Sequence, residues 1–166
     1  MNEFWGGSEM NVRSLRGWIL AFAAISLLLS VSSEVLPAVA SPVIATIQKV
    51  SGRATVVRQG LTIPAAIGQE IQENDTLRTG PDGSMGVIFR DDTLLSLGPG
   101  SYLVIDEFVF APREGKFSIV LRMLKGTAAY LSGLITKLSP ESAKFQTPSA
   151  SIGIRGTRFA VKVEGQ

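Results

Sequence analysis

The chain has 166 residues, 16 Lys and Arg against 14 Asp and Glu, a net charge of +2, and neither cysteine nor histidine. Those two absences exclude disulfides, thiol nucleophiles, Ser-His-Asp triads and zinc sites built on His or Cys. The charges are scattered without a basic block, so nucleic-acid binding has no footprint beyond a mild positive charge.

At the N-terminus, Arg13 and Arg16 precede a continuous apolar run over residues 18–31, followed by Ala38-Val39-Ala40. A basic stretch, a short apolar core and a small-x-small site make a secretory signal peptide over residues 1–40, cleaved before Ser41. The run is roughly 14 residues long, short of the ~20 that a spanning helix needs. Met10 is an alternative start, and an uncleaved anchor in the inner membrane is the alternative fate of the segment. Cleavage leaves residues 41–166 with 14 basic and 11 acidic residues, enough chain for one core and no further stretch long enough to span a bilayer.

From residue 41 onward, short apolar runs alternate with turn residues: Ser51-Gly52, Gly60, Gly68, Asn74-Asp75, Gly80 to Gly83, Asp91-Asp92, Gly98 to Gly100, Pro112 to Gly115, Gly126 and Gly133. That spacing predicts an all-β sandwich or barrel. "SMGVIFRDDTLLSL" reads as two strands around a turn at Asp91-Asp92. "SYLVIDEFVFA" is apolar on both faces and suits a central strand. In "KFSIVLR", Phe117, Ile119 and Leu121 share one face. One helical turn is expected from Ser139 to Ala143, with Pro140 at its first position and Ser139 as cap. In "TRFAVKVE", Phe159, Val161 and Val163 point one way, and Arg158, Ala160, Lys162 and Glu164 the other, as in a half-buried antiparallel strand.

Five segments in order, "NDTLRTGPDGSMGVIFRDDT", "LSLGPGSYLVIDEFVF", "MLKGTAAYLSG", "FQTP" and "SIGIRGTRFAV", resemble the FecR domain over roughly residues 52–163. Asn74 stands where that family more often has glycine. The resemblance implies an all-β domain, an antiparallel double sheet of the jelly-roll type, in the periplasm, acting as a non-catalytic interaction or sensing module without a cofactor. In the regulator that names the family, this domain relays a signal from an outer-membrane receptor to a cytoplasmic anti-sigma segment. Only about 17 residues precede the apolar run here, too few for a cytoplasmic domain, so sigma-factor control is not carried over.

Among single residues, Gly153, Arg155, Gly156 and Thr157 form the structural motif of the C-terminal segment. Arg155 offers five donors in a rigid fork. It reads as an internal ion pair with Asp91, Asp92, Asp106 or Glu107 that fixes strand register, with anion binding as the alternative. The adjacent pairs Asp91-Asp92 and Asp106-Glu107 point to opposite faces of a strand, so neither pair supplies two facing acids for a glycosidase. Turn and surface roles suit them better, and no metal site is expected. The expected partners are envelope proteins, docking by strand addition at the edge formed by residues 158–163. A glycan- or peptidoglycan-binding module using Tyr102 or Tyr130 is the alternative, and a carboxylate-based hydrolase a more remote one.

Overall fold

The computed structural model describes residues 41–155 and 158–164. The signal peptide expected over residues 1–40, and Gly156 and Thr157 of the C-terminal motif, lie outside them. Twelve strands follow in chain order: β1 (Val43–Ser51), β2 (Ala54–Arg58), β3 (Leu61–Pro64), β4 (Glu70–Gln72), β5 (Thr76–Thr79), β6 (Ser84–Phe89), β7 (Leu94–Leu97), β8 (Tyr102–Ala111), β9 (Lys116–Leu131), β10 (Ala143–Gln146), β11 (Ser151–Gly153) and β12 (Arg158–Val163). The expected all-β class holds.

The strands form one curled sheet with two arms that share β9. One arm runs β4-β1-β6-β7-β9-β12 and the other β3-β2-β5-β8-β9-β10-β11. Alternation explains the burial. In β6, Met85, Val87 and Phe89 are buried and Ser84, Gly86 and Ile88 less so. Ile44, Ile47, Val87 and Leu95 from the first arm meet Val56, Leu103, Ile119 and Phe145 from the second in a single core. Pairing is antiparallel throughout except where β10 lies parallel to β9, Phe145 opposite Leu121. The segment between them, with helix α1 (Leu134–Leu138) and a 3-10 turn at Pro140–Ser142, carries the chain back to the start of β9. That crossover is why one pair is parallel in an otherwise antiparallel fold.

β9 changes partners in mid-strand. Up to Lys125 it pairs with β8, and from Gly126 onward with β7 and β12. Gly126 stands at the bend with φ +94°, and a Cβ there would collide with Ser101. Ser101 Oγ ties the bend down: it accepts from Thr127 N at 3.0 Å and lies 2.8 Å from Gly98 O and 2.9 Å from Thr127 O.

Two local expectations are refined. The expected helical turn is a 3-10 turn at Pro140–Ser142, and Ser139 Oγ binds the Glu141 carboxylate and lies 2.8 Å from Ser142 Oγ instead of capping a backbone N–H. Helix α1, only five residues long, carried no periodic signal that sequence could reveal.

Candidate functional site

The C-terminal strand is where the fold leaves hydrogen-bonding capacity open. β12 pairs with β9 along one side, Arg158 opposite Leu131 through Val163 opposite Gly126. Among the described residues its other side has no partner strand. Three further strands close the arms: β3 has four residues and ends at Pro64, and β4 and β11 have three each. Short strands and terminal prolines blunt an edge. β12 has six residues in regular register and no proline, so it is the best template for an added strand.

The inward row of β12 packs against the core. Phe159 stacks on Tyr130 with ring centroids 5.1 Å apart and meets Phe145 edge-on at 5.4 Å. Tyr130 and Phe145 are fully buried, so the inward row of β12 is anchored in the core. Phe159, Val161 and Val163 are half-buried, while Arg158, Ala160 and Lys162 are exposed, as the alternation in sequence predicts. A cleft of about 450 Å³ runs beside the second half of the strand, between Val161 to Glu164 and the β10–β11 turn with Pro148, Ala150 and Ile152. Ile152 is 37 % exposed and gives the cleft an apolar wall. Lys162 reaches Glu164 at 3.3 Å, both largely in solvent.

Gly153 ends β11 with open space where a Cβ would stand, and Arg155 lies two residues beyond it, exposed. The structure corrects the expected pairing of Arg155 with Asp91, Asp92, Asp106 or Glu107: among the described residues it makes no ion pair with any of them. Asp106 accepts from Arg122 Nε at 2.8 Å and Nη2 at 2.5 Å across the β8–β9 ladder, which raises the Arg122 pKa further above its ordinary value. The carboxyl that feels Arg155 is Glu141, whose pKa is lowered first by its hydrogen bond from Ser139 and only lastly by the arginine's charge.

Two of the acids singled out in the sequence, Asp91 and Asp106, are engaged by neighbouring groups of the fold. Asp91, expected at a surface turn, is fully buried. Its Oδ2 accepts from Thr93 Oγ1 at 2.8 Å and Ile135 N at 3.2 Å, its Oδ1 from Thr93 N at 3.2 Å, and its backbone oxygen from Leu134 N at 2.7 Å. Asp91 thus caps α1 from the β6–β7 turn, satisfying helix N–H groups that its own sequence leaves unpaired. Its neighbour Asp92 is exposed, with φ +66°. Among the described residues no group of three or more acids, histidines or cysteines is placed to hold a metal ion. No helix among them is long and apolar enough to cross a membrane.

Of the two tyrosines, Tyr130 is buried, and burial raises its pKa above the usual tyrosine value. Tyr102 lies on the outer face of β8. Arg78 Cζ sits 4.3 Å above its ring and Arg78 Nη2 donates to its hydroxyl at 2.9 Å.

The described residues form a curled all-β domain with an interior packed by side chains and one side of β12 without a partner strand. The FecR protein family model matches residues 75–166, more than half of the chain, and the chain belongs to the FecR family. That family is non-enzymatic, regulatory and sensing. No curated protein and no solved structure matches the chain.

Proposed function

We propose that this chain is an exported FecR module that works by binding protein in the cell envelope, with β12 as the strand onto which a partner adds its own. The observation that carries the reading is the free side of β12, six regular residues held by Phe159 against Tyr130 and Phe145. Main-chain hydrogen bonds along that side supply affinity, and the row Arg158, Ala160, Lys162 supplies selectivity. Periplasmic residence is supported by the signal-peptide pattern of residues 1–40 and by the general location of FecR domains.

Amide hydrogen exchange tests the reading. In dilute protein, alternate amides between residues 158 and 163 exchange fast, because every second N–H of an edge strand faces solvent. Uniform protection of all of them would show the edge to be closed.

A second reading, glycan binding, is favoured by Tyr102 lying beside Arg78 on the outer face of β8. It requires that soluble peptidoglycan fragments shift the NMR signals of Tyr102 and Arg78, and that Tyr102→Ala abolishes the shifts.

A further inference from the structure

The exposed row of β12 and the residue that follows it read Arg158, Ala160, Lys162, Glu164. The row is basic at one end and acidic at the other, and the inward-pointing Val161 lies midway along the strand between its ends. An antiparallel strand laid on this edge places residues of equal orientation opposite each other. Only registers that match inward rows with inward rows continue the sheet without turning Phe159 or Val161 to solvent.

Three such registers overlap substantially when the added strand is a second β12. Centred on Ala160, the pairing puts Arg158 opposite Lys162 twice, like charge against like. Centred on Lys162, it puts two ammonium groups face to face. Centred on Val161, it puts Arg158 opposite Glu164 at both ends, Ala160 opposite Lys162, Phe159 opposite Val163 and Val161 opposite itself. Opposite charges and aromatic or β-branched pairs stabilise cross-strand neighbours, and like charges do the reverse.

We propose that the occupant of this edge is a second copy of the chain, paired antiparallel about Val161 so that the first arms of two molecules join into one continuous sheet. The proposal rests on β12 being the docking edge. The pairing is isologous and closes on itself, so it gives a dimer and not a fibre. The cleft beside Val161 to Glu164 leaves room for the first residues of the incoming strand. The bridge from Lys162 to Glu164, 70 % and 84 % exposed, offers little resistance when Glu164 turns toward Arg158 of the second copy.

The test uses the chain as it accumulates in the envelope. Sedimentation velocity from micromolar to millimolar concentration shows a reversible dimer. Arg158→Glu and Glu164→Arg each weaken it by about tenfold or more, since each variant turns two attractive contacts repulsive. Mixing the two single variants, or combining both changes in one chain, restores association, because opposite charges then face each other again at both ends of the pairing. Both positions are at the surface, and far-UV circular dichroism confirms that the variants fold. A chain that stays monomeric at millimolar concentration overturns the second-copy proposal, and so does a variant that dimerises like the parent. If the monomer still shows fast alternate amides along β12, the strand-addition reading stands with another partner. If all those amides are protected in the monomer, both readings fall.

Discussion

Arg58 grips Asp75 with two parallel hydrogen bonds, Nε to Oδ1 at 2.9 Å and Nη2 to Oδ2 at 2.7 Å, while Arg58 Nη2 also donates to Glu70 O at 2.8 Å. One guanidinium therefore joins β2 of the second arm to β4 of the first, over a carboxylate that is 1 % exposed. Asp75 also accepts from Gln72 N at 2.8 Å.

Removing one partner of such a pair strands a buried charge. Arg58→Met is expected to lower stability by about 3 kcal/mol in urea melts. Arg58→Met combined with Asp75→Leu is expected to recover a large part of that loss, because no charge is then left without a partner. Equal losses in single and double variants would show that the two residues do not act as a pair.

Gly126 permits the change of partners in β9. Gly126→Ala forces a side chain onto φ +94° and into Ser101, so it is expected to cost at least about 2 kcal/mol. Gly115, also at positive φ but with open space around it, is the control: Gly115→Ala is expected to cost about 1 kcal/mol from backbone strain alone. Comparable costs at the two sites would mean that the bend at β9 is not what Gly126 serves.

Tyr130 is expected to contribute to the loss of stability at alkaline pH. Its pKa is raised first by burial, which disfavours the phenolate. The sign follows directly: a tyrosine whose value is higher folded than unfolded contributes stability that is complete below about pH 10 and is lost as pH rises from there through the folded value. Its hydroxyl and that of Thr136 are buried without a well-formed hydrogen bond, although Thr93 and Thr136 lie close enough to act on the phenol. Tyr130→Phe is thus expected to leave stability at pH 7 unchanged or raise it by up to about 1 kcal/mol, and to flatten its fall above about pH 10. A variant that loses about 2 kcal/mol or more at pH 7 would show that the hydroxyl is properly bonded.

The strands were legible in the residues because alternation and turn chemistry agree: β6 and β7 flank the expected turn at Asp91-Asp92, and in β12 each residue expected to point inward is the more buried one. Asp91 was not legible. Asp-Asp between two strands has the composition of an exposed turn, and its burial depends on α1 arriving from more than forty residues away. Arg155 failed for a related reason: spacing along the chain does not say which side of a corner a side chain takes. The strand over residues 158–163 was visible as alternation, whereas its unpaired side and the cleft beside it depend on how the sheet and the β10–β11 turn are arranged and had no signature in any one segment.

Arg155 itself makes a graded expectation possible. It is exposed, and its charge is the smallest of the influences that lower the Glu141 pKa, behind the hydrogen bond from Ser139. A carboxyl held below its ordinary value favours the folded chain above its unfolded pKa, and that contribution disappears as pH falls through the folded value. In an NMR titration of Glu141, Ser139→Ala is expected to move the carboxyl back toward the ordinary range by more than Arg155→Ala does. Arg155→Ala is also expected to leave the urea midpoint close to that of the parent, as substitution of an exposed side chain usually does. An Arg155→Ala chain that melts far more easily than the parent would return the arginine to the structural role that its flanking residues first suggested.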